Sequence, residues 1–262
     1  MKRTLLDTLP CEIPDEIRRF IGSARVFDSS CSPEARVYYV EKDEGYYVKR
    51  GAAGTLEREA LLTGYFHSLG LGTEVLDYNT RDAYDWMLSA KMRGEDCMHA
   101  EYTSNPKRLC DTIAYELRAL HEIDFKHCPV QNKTAEYLAL AEKNYITGNY
   151  DKSYFPDNFG YASAEEAYAV LSEGGHLLKC DTLLHGDYCL PNIMLDGWKL
   201  SGFIDLGGAG VSDRHIDLFW GAWTLSFNLG TDEYRGRFFD AYGRDRVDED
   251  MLKIVAAAEV FG

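Results

Sequence analysis

The apolar residues of this chain change their period once, and that change limits how it can fold. Over the first 90 or so residues they come in short runs divided by turn formers. Segments 25–27, 36–41 and 46–50 read as strands, the last two joined by the turn Lys42-Asp43-Glu44-Gly45, and two more strands follow near 74–78 and 85–89. A short helix over 14–21 precedes them, with Ile13, Ile17, Phe20 and Ile21 on one side. A second helix is capped by Thr55, carries Leu56, Leu61, Leu62, Tyr65, Phe66 and Leu69, and stops at Gly70. From Pro106 helical spacing takes over: Leu109, Ile113, Leu117 and Leu120 share a face, 137–145 continues the pattern, and helices follow near 216–227, 232–242 and 248–261. One β segment intrudes over 182–204, turning at Asp196-Gly197. The pattern predicts an α+β chain of two lobes: a small β-rich lobe over 1–90 and a larger helical lobe over 91–262, with a hinge about 89–95. A cleft between two lobes is a favoured place for a ligand.

Composition narrows the partners. At 262 residues the chain has length enough for a real core without disulfide or metal staples. Forty-three acids against 28 bases give a net charge of −15, a field that repels phosphate backbones and argues against nucleic acid as a partner. The same excess of acids also serves plain solubility. The seven cysteines are odd in number and form no Cys-x-x-Cys pair, which predicts a reducing, cytoplasmic setting. The opening Met1-Lys2-Arg3-Thr4-Leu5-Leu6 imitates a signal peptide, but Asp7 and Pro10 interrupt it. No run approaches the roughly 18 apolar residues of a membrane span.

The segment that carries chemistry is Leu184-His185-Gly186-Asp187-Tyr188-Cys189-Leu190-Pro191-Asn192-Ile193-Met194-Leu195. It offers an acid, a four-residue gap, an amide and then an apolar run. Phosphoryl transfer asks for that set: a carboxylate to orient a hydroxyl and accept its proton, and an amide oxygen near it for magnesium. Alone, the spacing equally fits a turn whose Asp and Asn bond the local backbone. Thirteen residues after Asn192, the strand Ser201-Gly202-Phe203-Ile204 ends in Asp205 and Leu206-Gly207, adding a hard oxygen ligand at hairpin spacing. Lys49 ends a strand and Glu59 lies in the first turns of the next helix, the pairing that holds nucleotide phosphates in protein kinases. Taken singly, each also fits a solvated charge. The loop Ser29-Ser30-Cys31-Ser32 lies between strands, where backbone amides of residues such as Ser32 would cover phosphates, although no G-x-G-x-x-G or Walker motif is present.

These motifs, with Gly210-Val211-Ser212-Asp213-Arg214, closely resemble the aminoglycoside phosphotransferases, and among them the 3′-phosphotransferases, the kanamycin and neomycin kinases. The resemblance covers nearly the whole chain. It implies a protein-kinase-like two-lobed fold, ATP and Mg²⁺ as cofactors, and transfer of phosphate to a hydroxyl of a cationic aminoglycoside. Asp187 then matches the catalytic base, Asn192 and Asp205 the magnesium ligands, Lys49 the lysine on the ATP phosphates and Glu59 its partner. The segment Asp85-Trp86-Met87-Leu88-Ser89-Ala90-Lys91-Met92-Arg93-Gly94 matches the adenine-holding hinge, making Ser89, Lys91 and Met92 nucleotide contacts. His185 matches a residue that orients the catalytic loop, and Leu120-His121-Glu122-Ile123-Asp124 matches a helix end common in these kinases.

The resemblance thins on the acceptor side. The inserted region 151–161 is more aromatic and less acidic than the family's, Ser226-Phe227-Asn228 stands where acids are usual, and Gly208 where an arginine is frequent. Asp157, Asp213, Asp217 and Glu259 are the acids left as acceptor contacts. Trp220 and Trp223, three apart, read as core rather than as ligand stackers, and the remaining histidines show no metal spacing. Two other readings stay open: the same chemistry on a different hydroxylated amine or antibiotic, and a nucleotide-binding module without turnover. The sequence does not give the oligomeric state.

Overall fold

Two short runs of branched and aromatic residues, Val37-Tyr38-Tyr39-Val40 and Tyr46-Tyr47-Val48, read as strands, and the pairing register is fixed by which face of each is buried. The computed structural model describes residues 3–10, 12–31, 35–151 and 159–262. Its first unit is Met1–Gly94 together with Met194–Gly207, and its second is Glu95–Ile193 together with Gly208–Gly262.

The first unit holds strands β1 (Thr4–Leu5), β2 (Arg25–Asp28), β3 (Arg36–Glu41), β4 (Tyr46–Ala52), β5 (Val75–Arg81) and β6 (Tyr84–Ala90), with helices α1 (Asp15–Ile21) and α2 (Glu57–Ser68). The strands form one antiparallel sheet in the order β1-β2-β3-β4-β6-β5. Register puts Tyr38 opposite Val48 and Val48 opposite Leu88, so these side chains share one face. There they pack with Val40, Trp86 and the α1 residues Ile17 and Ile21 into a buried core. The opposite face carries Tyr39, Tyr47, Lys49 and Met87, since Tyr39 pairs with Tyr47 and Lys49 with Met87.

The start of α2 departs from the expected local cap. Thr55 donates its hydroxyl to the Ala52 carbonyl instead, and the amide of Leu56 donates to Asp85 Oδ2 at 2.9 Å. Asp85 is fully buried on β6 and also accepts from Thr80, so a distant carboxylate replaces the local cap. That anchor fixes the first turn of α2, where Glu59 lies.

The second unit holds β7 (Glu95–Asp96), α3 (Ala100–Thr103), α4 (Pro106–His121), α5 (Lys133–Thr147), α6 (Ala164–Gly174) and β8 (Thr182–Leu184). Strands β9 (Ile193–Asp196) and β10 (Lys199–Phe203) come next in the chain, and β11 (Gly210–Ser212), α7 (His215–Leu229), α8 (Tyr234–Tyr242) and α9 (Glu249–Glu259) complete the second unit. Strands β8 and β11 pair antiparallel, Leu183 opposite Val211. A core of Leu171, Leu184, Ile216, Val255 and Phe261 joins α6, α7 and α9, and Trp220 and Trp223 pack against it part-buried. Helix α6 goes beyond the sequence expectation. Its start is signalled by Ser163, whose hydroxyl accepts from the Glu166 amide at 3.2 Å.

The segment Met194–Gly207, expected within 91–262, groups instead with the first unit. Phe203 donates its amide to Leu71 at 2.8 Å and sets its ring edge-on to Phe66. Gly202 and Gly94 make this docking possible: a Cβ on Gly202 would lie 2.8 Å from the Leu71 carbonyl oxygen, and one on Gly94 would lie 2.0 Å from that of Leu195. No described helix is long and apolar enough to cross a membrane, and the six described cysteines are free thiols.

Candidate active site

In the first unit, the sheet face opposite α1 brings three predicted residues together. Lys49 Nζ lies 2.8 Å from both carboxylate oxygens of Glu59 and 2.8 Å from Asp205 Oδ1. The side chains of Lys49 and Glu59 are 17% and 10% exposed, whereas that of Asp205 is 51% exposed. Burial opposes the charge on Lys49, but the Asp205 and Glu59 carboxylates outweigh it and hold the ammonium pKa above its ordinary value. Burial lifts the Glu59 carboxyl, and the Asp205 charge adds to that lift against the pull of Lys49. Two carboxylates thus share one ammonium, leaving the cluster a net negative charge. Asp205 sits in the left-handed region at φ 57°, a conformation that Asp tolerates better than most residues.

The expected hinge lies beside this cluster on β6. The amide of Ala90 donates to Glu74 and that of Lys91 to Gly45, both at 2.9 Å, so the sheet consumes both. Met92 follows as the next residue out of the strand. Ser89 is buried opposite Tyr47. Ser32 lies outside the described residues.

In the second unit, a loop brings Asp187 and Asn192 together. Asn192 Nδ2 donates to Asp187 Oδ2 at 2.8 Å and to the Asp187 carbonyl at 3.0 Å. The amide nitrogen of the side chain faces the acid, which leaves the amide oxygen of Asn192 as a hard donor. The loop is tied down from below. Asp217, fully buried, accepts from the amides of His185 at 2.7 Å and Gly186 at 2.8 Å. His121 Nε2 lies 3.2 Å from Asp217 Oδ2, and Nδ1 lies 2.8 Å from the Tyr242 hydroxyl. With Nε2–H donating to the carboxylate, Nδ1 accepts from Tyr242, and burial lowers the His121 pKa so that this neutral tautomer holds. The Asp187 amide donates to His185 Nδ1 at 3.2 Å, Tyr188 donates to the Ile113 carbonyl at 2.7 Å, and Leu190 donates its amide to Thr224. Asn228, noted in the sequence only as a missing acid, donates to the carbonyl and hydroxyl of Thr224 and so steadies that contact.

Gly186 must be glycine. It holds φ 81°, and a Cβ there would lie 1.9 Å from the Gly208 carbonyl oxygen. Gly208, where the resemblance leads to an expected arginine, is itself crowded: a Cβ there would meet the Gly186 oxygen at 2.9 Å. Cys189 stays a thiol, because burial and then the Asp187 charge push its pKa well up.

The acceptor-side acids fare differently. Asp157 lies outside the described residues. Asp213 is buried and accepts from the Lys179 amide, the His215 amide and His215 Nδ1, the last at 2.6 Å. Asp213 and Asp217 are thus both engaged inside the fold, one by Lys179 and His215 and the other by the loop of Asp187. Helix positions alone do not reveal that an acid is buried under a loop. Glu259 is also buried, and its Oε1 accepts from Tyr137 at 2.8 Å and Trp220 Nε1 at 3.1 Å. Burial raises its pKa to about 7 against those two donors, with the Asp187 charge contributing.

An ammonium held between carboxylates, and an acid bonded to an amide on a braced loop, are the working parts of a phosphoryl-transfer enzyme. Residues 33–252 match the model of the phosphotransferase enzyme family APH, and the chain belongs to that family. A probable aminoglycoside 3′-phosphotransferase of Lactococcus lactis is 51% identical over 96% of this chain and 95% of its own. An aminoglycoside 3′-phosphotransferase of Niallia circulans is 33% identical over 68% of this chain and 67% of its own. The fold is that of solved aminoglycoside phosphotransferases: one from Streptomyces rimosus superposes with a TM-score of 0.75 at 22% identity, covering 94% of this chain and 95% of that one. A structure of the same Streptomyces rimosus enzyme holds ADP and streptomycin (TM-score 0.72, 23% identity, 86% and 90% covered).

Proposed function

We propose that this protein transfers the γ-phosphoryl group of ATP to a hydroxyl of an aminoglycoside and so inactivates the antibiotic. The observation that carries the reading is the Asp187–Asn192 pair on its braced loop. The relative that is 51% identical supports the choice of acceptor. In this reading Lys49 leaves Asp205 for the phosphates of ATP while Glu59 keeps it aimed, and the backbone of Ser89–Met92 receives the adenine. Asn192 Oδ1 and Asp205 are hard oxygen donors that suit magnesium, which usually takes one or two carboxylates plus substrate phosphates. When bound, the metal neutralises charge developing on the β- and γ-phosphates.

Asp187 accepts a hydrogen bond from the acceptor hydroxyl and then its proton. The hydroxyl oxygen bonds to the γ-phosphorus as the bond from that phosphorus to the β–γ bridging oxygen breaks, and ADP leaves with the electron pair. His185, Asp217 and His121 do not touch the reactants; they keep the loop in one shape, so orientation is set before substrate arrives. Among the acids, Asp157 and Glu259 stay candidates for an ammonium of the acceptor, and burial, which raises the Glu259 pKa to about 7, favours its neutral form until a cation is bound.

The test is ATP consumption by purified protein against a panel of kanamycin, neomycin, related aminoglycosides and streptomycin, with the phosphorylated position read by NMR. Turnover with at least one member is the expected result. Nucleotide binding without turnover on any member would overturn the acceptor assignment. A second reading, the same chemistry on a different hydroxylated amine or antibiotic, is favoured by Phe227, an apolar side chain that stands 68% exposed and stacked on Trp223.

A further inference from the structure

The six-stranded sheet of the first unit ends on β5, and among the described residues no strand pairs with its outer side. Edge strands are usually kept short or carry lysine or proline, because their free N–H and C=O groups recruit another strand. Strand β5 is seven residues long, lacks lysine and proline, and keeps 77–81 regular, since its one bulge lies between Val75 and Asp77.

The pairing with β6 sets which backbone groups of β5 face outward. Arg81 and Tyr84 close a two-residue turn, and the closing pair of such a hairpin is a hydrogen-bonded one. Hydrogen-bonded pairs alternate along an antiparallel ladder, so Asn79 with Trp86 and Asp77 with Leu88 are bonded as well. The Ala90 amide, two residues beyond Leu88, points the same way, to Glu74. Tyr78 and Thr80 therefore turn their N–H and C=O outward.

This edge is complementary to itself. Two β5 strands set antiparallel and centred on Asn79 place Tyr78 of each copy opposite Thr80 of the other, so every outward group of these residues finds a partner. The same register places Asp77 opposite Arg81 twice and Asn79 opposite itself, and no other register pairs the two charges. Directly opposed residues bring their Cβ atoms to about 4.5–5.5 Å, within reach of an ion pair. Arg81 holds Glu16 at 3.2 Å but is half exposed, and a guanidinium has donors to spare. Asn79 donates to Asp77 Oδ2 at 2.7 Å, while its own Oδ1 has no donor among the described residues; a second Asn79 brings one. The two-fold axis of such a pair is perpendicular to the sheet, so each face continues across the junction and the two α2 helices lie on the same side. Helix α2 packs against β5, and Leu61 and Leu69 on it and Leu76 on β5 are exposed.

We infer that the β5 edge is an interface for a second copy of this chain: the two sheets join antiparallel at Asn79, with Asp77 of each copy paired to Arg81 of the other. The inference does not depend on the acceptor or on the reaction.

The experiment is sedimentation velocity of the whole protein over about 1–100 μM, where interfaces of modest quality associate. A reversible monomer–dimer equilibrium is expected for the wild type. Arg81→Asp sets like charges opposite each other twice and should raise the dimer Kd about tenfold or more. Asp77→Arg should do the same, and the double variant Asp77→Arg with Arg81→Asp should dimerise again, which also shows that the exchanged edge still folds. Hydrogen exchange should slow at the Tyr78 and Thr80 amides as the dimer fills. A wild type that stays monomeric at every concentration would overturn the inference. So would a dimer indifferent to either single reversal, a double variant that stays apart, or a dimer in which those two amides exchange as fast as in the monomer.

Discussion

The loop around Asp187 and the cluster around Lys49 hold their charges in opposite ways. Beneath Asp187 each of these donors has its acceptor: two amides and a neutral imidazole on Asp217, a phenol on that imidazole, and the Leu190 amide on the Thr224 hydroxyl. Around Lys49 three charges compete, two carboxylates for one ammonium, and Asp205 is half in solvent. A buried, fully satisfied network has one arrangement, since any other leaves a group unpaired. An over-supplied, part-exposed cluster has several of similar energy. The first suits a base that must already be aimed; the second suits a cation that must trade a carboxylate for a phosphate.

Removing the proposed base, Asp187, is expected to give the largest effect. Asp187→Ala is expected to lower kcat by about 100- to 10,000-fold, the range of general-base contributions. ADP affinity should stay near that of the wild type, measured by calorimetry, because the loop is held by Asp217 and not by Asp187. Turnover within a few fold of the wild type would remove Asp187 from the reaction.

Removing the brace comes next and strikes stability as well. Asp217→Ala orphans two buried amides and the His121 N–H at once, at a cost of about 3–5 kcal/mol, as for breaking a buried charged network. Urea unfolding should show that loss. Lys49→Ala, which breaks the other region, should cost less stability, since the buried Glu59 it leaves can take up a proton and Asp205 is half in solvent. If the two losses are equal, the contrast between the regions fails.

How far the sequence discloses this architecture differs between the regions for a physical reason. Short branched and aromatic runs between turn formers disclose the strands of the first unit, and the short distance between a strand and the next helix makes Lys49 and Glu59 legible as a pair. The Asp187–Asn192 pair is legible because both ends of the contact lie within one loop. What escapes is set by distant packing. Thr55 has the composition of a cap, but Asp85 from β6 takes the role. Asp217 and Asp213 look like any acids at a helix start; only the fold puts one under the loop and binds the other to His215. Residues 194–207 belong with the first unit because Phe203 meets Leu71 and Phe66, a contact between segments about 130 residues apart in sequence. Helix α6 alone had an unread local signal, the Ser163 and Glu166 pair at its start.

Each region also holds one glutamate whose pKa is raised, which sharpens the contrast through pH. Glu259 moves from 4.5 to about 7. The folded state then binds more protons than the unfolded state between those values, so Glu259 costs stability progressively as pH rises through that window. Glu259→Gln keeps an acceptor for Tyr137 and Trp220 and has no charge to bury. It should gain on the order of 1–3 kcal/mol at pH 8 and nothing below about pH 4.5, read from thermal melts across pH. A constant difference at every pH would show that the ionisation of Glu259 is not what distinguishes the two proteins.

Glu59→Gln gives the smallest change in stability and separates it from function. The Glu59 carboxyl is also raised, first by burial and then by Asp205, while Lys49 pulls the other way. Its charge is therefore a net cost to the folded state at neutral pH, lost on descending below the raised value, and the cost is smaller than for Glu259 because the ammonium lies 2.8 Å away. The glutamine variant keeps the Lys49–Asp205 pair, so its melting temperature at pH 8 should match or slightly exceed that of the wild type, within about 1 kcal/mol. Nucleotide handling should nevertheless suffer. Without the Glu59 charge, Lys49 has only the Asp205 carboxylate to hold it, and in the proposed reading, where Asp205 would hold magnesium, the ammonium would be left unaimed. KM for ATP is expected to rise about tenfold, the scale of one charged hydrogen bond lost from an organised site, with the melting curve unmoved. A variant that melts several degrees lower while keeping its KM would mean that Glu59 is a structural pin, and that the Lys49 cluster is as rigid as the loop around Asp187.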